Sequence, residues 1–124
     1  MRYFRKLDVW KIAHALTLEV YRISSDFPPS ERFGLRSQMR RAALSIGSNI
    51  AEGAARSSAR DYGRFLDIAV GSSAEVEYQL DVARDLGYLD EAITAPLQQE
   101  CIRIRAMLLS LRRRIISACE PRPP

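Results

Sequence analysis

The 124-residue chain has few of the residues on which disulfide frameworks and metal sites depend. Its two cysteines, Cys101 and Cys119, are too few for a disulfide framework and lack the C-x-x-C spacing of a zinc or redox site, so we interpret both as core thiols. They are 18 residues apart within one predicted helix, or about 27 Å at the helical rise, whereas bridged Cα atoms lie within roughly 7 Å of each other. We therefore expect no disulfide between them.

Long uncharged runs are also absent. The longest, residues 42–51, has ten residues and includes Ser45, Ser48 and Asn49, whereas a membrane span needs roughly 18–20 apolar residues. The basic N-terminal stretch is interrupted by Asp8 and Lys11 and therefore lacks the apolar core of a secretory signal. We expect a cytoplasmic protein without a membrane partner.

Catalytic side chains are scarce. The single histidine, His14, is not part of the Glu-x-x-His pair that a di-iron bundle needs, and one histidine on a helix face is weak support for a hydrolytic triad. The run from Gly47 to Gly53 lacks the Lys-Ser/Thr ending of a phosphate-binding loop, and no strand precedes it. We expect no enzymatic activity, no cofactor, no metal and no small-molecule substrate.

Apolar residues make up 47% of the chain, enough for one globular domain. Their spacing is helical from end to end, and no run alternates with period two. The sequence predicts an all-α, antiparallel, up-down-up-down four-helix bundle, because helices of similar length with short connections pack most simply in that way. The predicted helices cover about residues 8–26, 35–54, 58–86 and 90–119, in a single domain of residues 1–120 followed by a disordered proline-rich tail, residues 121–124.

Three patterns predict where the helices begin and end. Asp8 can act as the N-cap of the first helix, because its side chain can accept hydrogen bonds from early helical amides. Ser58 followed by Asp61 resembles a capping box at the start of the third helix. Gly87 suits the left-handed position that closes a helix.

Polar side chains line one face of the second helix and one face of the third. The candidate polar network consists of Ser45, Asn49, Glu52, Ser72 and Glu75. These residues line a ligand pocket or a nucleic-acid-facing groove, or they form a hydrogen-bonded network between helices or subunits; we favour the network, since buried polar groups need partners. Gly47 and Gly71 lie in mid-helix at a cost of about 1 kcal/mol each relative to alanine, which predicts close backbone approach at both.

The last helix carries more apolar surface than one inward stripe requires. It has Ile102, Leu109 and Ile116 at seven-residue spacing beside that stripe, whereas a bundle helix normally presents one apolar stripe. Together with Trp10 and Tyr21 on the first helix, these residues form the candidate oligomer interface. We expect a homo-oligomer.

Charge is distributed unevenly along the chain. The net charge is +6 over residues 1–60, −7 over residues 61–100 and +5 over residues 101–124. Seventeen of the 19 basic residues are arginine, which is suited to phosphate forks and to ion pairs. The pattern therefore fits either a basic surface for nucleic acid or oppositely charged helices lying side by side.

Arginines on the last three helices form the candidate nucleic-acid-binding surface. They are Arg36, Arg40, Arg41, Arg56, Arg60, Arg105, Arg112 and Arg113, and Arg103 lies on the same outward side of the last helix. We expect phosphate contacts without base recognition, because no aromatic stacking platform is evident. The alternative is a structural or protein-interaction scaffold in which arginines pair with Asp67, Asp81 and Asp85 of a neighbouring subunit.

Several motifs together resemble one known family. They are Phe4-x-x-Leu7-x-Val9-Trp10-x-x-Ala13, Phe27-Pro28-x-x-Glu31-x-x-Gly34-Leu35, Gln38-x-Arg40-Arg41-Ala42, Ser45-Ile46-x-x-Asn49-Ile50-Ala51-Glu52-Gly53, and Phe65-Leu66-x-x-Ala69-x-Gly71-Ser72 with Glu75. Over about residues 4–89 the chain is similar to the bacterial four-helix bundle protein family, also called the 23S rRNA intervening-sequence protein family. The resemblance implies a left-twisted bundle assembled as a homopentamer, encoded in some bacteria within insertions in 23S rRNA genes, with no established enzymatic activity.

A more distant resemblance is to the accessory variability protein of diversity-generating retroelements. It implies a basic pentameric bundle that works with a reverse transcriptase and nucleic acid. The family offers no catalytic residues to carry over to this chain. We therefore predict a non-enzymatic, oligomeric helical bundle whose partner is RNA or a nucleic-acid-processing protein.

Overall fold

Four α-helices follow one another in the computed structural model, which describes residues 3–119. They are α1 (Asp8–Ser24), α2 (Leu35–Ala54), α3 (Ala59–Asp85) and α4 (Glu91–Cys119), with short 3-10 helices at Phe4–Lys6 and Pro29–Glu31. The all-α four-helix prediction is confirmed, and each helix end lies within two residues of its predicted position. The tail of residues 121–124 lies outside the described residues.

Two predicted helix ends are formed by the expected chemistry. The Ser58 hydroxyl accepts a hydrogen bond from the backbone N–H of Asp61 at 3.1 Å, which caps α3. Gly87 has a φ of +80°, and the N–H of Tyr88 donates to the carbonyl of Ala83 at 2.9 Å. Gly87 therefore ends α3 in the left-handed conformation that the sequence predicts.

The predicted N-cap of α1 is wrong by one residue. Leu7, in extended backbone conformation, precedes the helix, and Asp8 is its first residue without capping it. The side chain of Leu7 is buried in the core, so its burial sets the point at which the chain enters α1. Asp8 still lies in the first turn, where the helix dipole favours a carboxylate.

Hydrogen bonds between helices establish their direction. The bonded pairs are Thr17 with Ala43 and Ser24 with Arg40 between α1 and α2, Ser45 with Ser72 between α2 and α3, and Asp81 with Gln98 and Glu77 with Arg105 between α3 and α4. Two bonded pairs join α1 to α2, and two join α3 to α4. In both, the residue number rises along one helix as it falls along the other. Neighbouring helices are therefore antiparallel, and contacts also join α1 to α4.

The core lies between the four helices and is formed by the predicted inward stripes. Its fully buried large side chains include Met39, Ile46, Ile50, Leu66, Leu80, Ile104 and Leu108. Burial of each such side chain contributes about 1.5–3 kcal/mol. The contacts of α3 with α2 and α4 are the most extensive, and those of α1 with α4 are sparser.

Close backbone approach occurs at different glycines from those predicted. A Cβ atom on Gly53 would lie 3.0 Å from Phe65 Cβ and 3.3 Å from the carbonyl oxygen of Tyr62, whereas one on Gly71 would meet nothing within 4 Å. The prediction for Gly71 is therefore wrong within the chain, because this face of α3 is exposed. At Gly47 the nearest atom, 3.4 Å away, belongs to the Trp10 ring, so the close neighbour is a side chain.

We predict that Gly53→Ala destabilises the bundle by about 1–3 kcal/mol, because the added methyl group overpacks the contact between α2 and α3. Gly71→Ala is the matched control, since it adds the same methyl group to a helix without an intrachain contact. Helix propensity alone predicts that this control is stabilising by up to about 1 kcal/mol. Urea unfolding of the three proteins measures both changes. Equal stability of the two variants would contradict the prediction.

Candidate nucleic-acid interface

Two of the three candidate arginines on α4, Arg105 and Arg112, are paired with the acidic helix α3. Arg105 donates to Glu77 Oε1 at 2.7 Å and to Ser73 Oγ at 3.3 Å. Arg112 pairs with Asp67 at 2.7 Å. Two of the candidate nucleic-acid-binding arginines are therefore neutralised within the chain, as expected when oppositely charged helices lie side by side.

The remaining arginines of the last three helices differ in their surroundings. Arg56 lies 4.6 Å from the centroid of the Phe65 ring and 3.9 Å from Glu52. Arg60 and Arg113 are exposed and make no ion pair with residues 3–119.

A groove of about 470 Å³ lies where the end of α1 meets the beginning of α2. It is lined by Tyr21, Arg32, Phe33, Arg36, Ser37, Arg40, Arg41 and Leu44, and we call it the arginine groove. Four of these eight residues are arginines and none is acidic. Within the part of the chain that the structure describes, Arg32, Arg36 and Arg41 make no ion pair. Positive charge is thus concentrated here without neutralisation.

Arg40 differs from the other arginines of the groove because it is held in place. Its Nε donates to Ser24 Oγ at 2.9 Å, and its Nη2 donates to the backbone carbonyl of Tyr21 at 2.9 Å. Its guanidinium carbon lies 4.7 Å from the centroid of the Tyr21 ring. Arg40 therefore joins α2 to the last turn of α1, where a cation is also favoured by the helix dipole.

The turn that carries Arg32 and Phe33 is fixed by Glu31. One carboxylate oxygen of Glu31 accepts from the backbone N–H of Leu35 at 3.0 Å, and the other accepts from the Tyr88 hydroxyl at 2.8 Å. These two bonds, the first the stronger influence, lower the pKa of Glu31 below its usual value. Glu31 is thus ionised at neutral pH, and it connects the start of α2 to the turn between α3 and α4.

Sequence reasoning missed Arg32 and Phe33. The ring of Phe33 is 87% exposed, and the guanidinium carbon of Arg32 lies 5.3 Å from its centroid. The Arg32-Phe33 pair lies between a proline-rich turn and Gly34, outside the periodic pattern of the helices. A bulky aromatic residue in such a turn is the signal that could have pointed to it.

Three members of the candidate polar network are bonded to one another. The hydroxyls of Ser45 and Ser72 are 2.9 Å apart, and Asn49 Nδ2 donates to both the carbonyl and the hydroxyl oxygen of Ser45 at 2.8 and 2.9 Å. Glu52 lies outside this trio, exposed near Arg56. Glu75 is also exposed and accepts a hydrogen bond from Gln79.

The candidate oligomer-interface residues are divided between covered and uncovered positions. Trp10 stacks on His14 with ring centroids 4.9 Å apart, and Ile116 lies against Gly63. Tyr21 contributes to the arginine groove. Ile102 and Leu109, by contrast, are exposed on α4, with Ala106 also exposed between them.

The two thiols occupy different environments on α4. Both are free, and only Cys101 is buried; burial raises the pKa of its thiol to about 12. The interpretation of Cys119 as a core thiol is wrong, because it lies in an exposed last turn. Within residues 3–119, no group of three or more His, Cys, Asp or Glu side chains could hold a metal ion, and no helix is long and apolar enough to cross a membrane.

The helices and the groove define a small four-helix-bundle protein with a basic surface. A family model for the 23S rRNA-intervening sequence protein matches residues 5–110, and the chain belongs to this family. Among solved structures, a protein of unknown function from the S23 ribosomal protein family of Bacteroides thetaiotaomicron VPI-5482 is similar with a TM-score of 0.78 and 22% identity, over 85% of this chain and 95% of that chain. This likeness shows the fold. No match was found among curated proteins.

We predict that Asn49→Leu lowers the free energy of unfolding by about 1–3 kcal/mol, because it removes two side-chain hydrogen bonds to Ser45, each worth about 0.5–1.5 kcal/mol net. Glu52→Leu is the matched control from the same helix face. Its carboxylate takes part only in an exposed ion pair, which is worth about 0–1 kcal/mol. Chemical denaturation checks both values, and a larger effect at Glu52 than at Asn49 would refute this description of the network.

Proposed function

We propose that this protein is a non-enzymatic, homo-oligomeric RNA-binding bundle. The observation that carries the proposal is the arginine groove, in which four arginines and no carboxylate line one cleft. Arginine binds phosphate through a planar fork of donors, and neutralised phosphates release counterions, which favours binding at low salt. An RNA partner implies a cytoplasmic location, which forms part of the proposal.

The scaffold alternative is less well supported, because the carboxylates that it needs are already in use. Asp67 pairs with Arg112 at 2.7 Å. Asp81 lies 3.2 Å from Arg84 and accepts from Gln98 at 2.7 Å, and Asp85 lies 3.1 Å from Arg84. The acidic residues that would receive a neighbour's arginines thus have partners within their own chain. The arginines of the groove therefore remain available to a negatively charged partner molecule.

Assembly into a homo-oligomer rests on a separate surface. Ile102 and Leu109 are 42% and 39% exposed on α4, and Ala106 lies between them on the same face. Covering apolar surface contributes roughly 25 cal/mol per Å², so a few hundred Å² per subunit favour association. The proposed number of five subunits comes from the family resemblance.

We predict that RNA binding is strongly salt-dependent and that Arg36→Glu with Arg41→Glu weakens it more than tenfold. Fluorescence anisotropy with a labelled, unstructured 12-nucleotide RNA measures the affinity. Each phosphate contact contributes about 0.7 to the slope of log affinity against log salt for a single strand, so the double variant should lower the slope by about 1.4.

The matched control is Lys11→Glu with Arg114→Glu, which makes the same change in net charge at exposed positions of α1 and α4 outside the candidate binding set. This control should retain affinity within about threefold, since exposed charges beyond a Debye length of about 10 Å are largely screened. Wild-type protein that does not bind RNA at low salt would refute the proposal. Equal weakening by both double variants would refute the assignment to the groove.

We predict that the protein elutes as a homopentamer, with a mass five times that of the 14.1 kDa chain. Light scattering coupled to size exclusion at micromolar concentration measures this mass. Ile102→Glu with Leu109→Glu should lower it, because charge replaces the exposed apolar strip. A wild-type mass of one chain would refute oligomerisation, a dimer or tetramer would refute the pentamer alone, and an unchanged mass of the variant would place the interface elsewhere.

A further inference from the structure

We propose that the arginine groove binds single-stranded RNA by stacking one unpaired base on the ring of Phe33. This inference rests on the proposed RNA-binding function and specifies its ligand. A large aromatic side chain that is 87% exposed gains nothing from burial in the chain, yet it lies at the edge of the arginine groove. Aromatic rings beside a basic groove are the arrangement by which single strands are bound.

The geometry around Phe33 leaves room for a base. Arg32 lies 5.3 Å from the ring centroid, within the range of a cation–π contact, and the high exposure of the ring means that a face stays open. In the proposed complex, one nucleotide lies with its base on Phe33 and its phosphate towards the arginines that line the groove.

The arginines of the groove have different roles in the proposed complex. Arg40 is bonded to Ser24 and to the Tyr21 carbonyl, so it positions the groove and contributes fixed charge. Arg36 and Arg41 make no ion pair with the described residues, and both lie in the first two turns of α2. These two side chains are free to contact the phosphates that flank the stacked base.

Phe33 is presented by a turn that is already ordered. Glu31 holds the turn through Leu35 N and the Tyr88 hydroxyl, and the N–H of Gly34 donates to the Glu31 carbonyl at 3.0 Å. A Cβ atom at Gly34 would lie 2.6 Å from a Glu31 carboxylate oxygen, so glycine allows this tight arrangement. Ordering before binding reduces the entropy lost when RNA binds.

A duplex does not offer the same contact. Its bases are stacked on one another, and the major groove of A-form RNA is too deep and narrow for side chains to read. A ring at the edge of a surface groove can reach only a base that is already unpaired. Stacking is tolerant of sequence because every base has a π-face, so the proposal predicts a preference for single strands without a preference for one sequence.

The test compares an unstructured 12-nucleotide RNA with the blunt duplex that the same strand forms with its complement. By fluorescence anisotropy, Phe33→Ala should lose about 5- to 150-fold in affinity for the single strand and stay within twofold for the duplex. Tyr78→Ala is the matched control, since Tyr78 is a 66% exposed aromatic residue on α3. It should leave both affinities unchanged.

A second variant reports on stacking directly. Phe33→Trp should keep the affinity for the single strand, and its additional tryptophan emission should be quenched when that RNA is added. Wild-type protein, in which Trp10 is the one tryptophan and stacks on His14, provides the reference signal. Unquenched emission at saturating RNA would overturn the stacking proposal.

The remaining outcomes separate this inference from the function on which it rests. If wild-type protein binds single strand and duplex equally and Phe33→Ala binds both as well as wild type, the groove contacts phosphates alone and the stacking proposal fails while RNA binding stands. If wild-type protein binds neither RNA, the proposed function itself fails. If Phe33→Ala changes the mass measured by light scattering and not the RNA affinity, Phe33 is an assembly contact and the inference is overturned.

Discussion

The pairing of α3 carboxylates with α4 side chains is the constraint on which the distribution of charge depends. Glu77 holds Arg105 and Asp67 holds Arg112, each at 2.7 Å. These pairs are partly exposed, so they contribute little to stability, and burial of the apolar core supplies most of the stabilisation. Their larger effect is on register and on surface potential, because they neutralise two of the five arginines of α4, whereas the arginines at the junction of α1 and α2 have no such partners.

That junction is connected to the turn between α3 and α4 through Glu31. The carboxylate bonds to the first turn of α2 and to Tyr88, and the Tyr88 ring lies 5.3 Å from that of buried Phe27. The Glu31 pKa is lowered by these bonds, so their contribution to stability is present above the usual carboxyl pKa and is lost as the pH falls through the lowered value. Glu31 thus connects the packing of the helices to the position of Phe33.

Small and polar residues allow α2 and α3 to approach closely. Gly53 lies where any Cβ atom would meet Phe65 and the Tyr62 backbone. Farther along the same pair of helices, Ser45, Asn49 and Ser72 satisfy one another. A buried hydroxyl without a partner costs about 1–3 kcal/mol, so this trio favours one relative placement of α2 and α3. Gly71, which has no neighbour within 4 Å, marks instead a face of α3 that the chain leaves open.

The sequence by itself determined the helices and the core, because apolar periodicity, the Ser58 cap and the Gly87 terminator act over a few neighbouring residues. It also carried the motifs of the family whose model matches residues 5–110. Only the tertiary structure decided which arginines are neutralised, since Arg112 and Asp67 are 45 residues apart in sequence and meet through helix packing. It likewise decided that Arg32 and Phe33 join Arg36, Arg40 and Arg41 in one groove. A charge pattern along a chain gives the number of cations, whereas their freedom to bind a partner depends on the carboxylates that folding brings beside them.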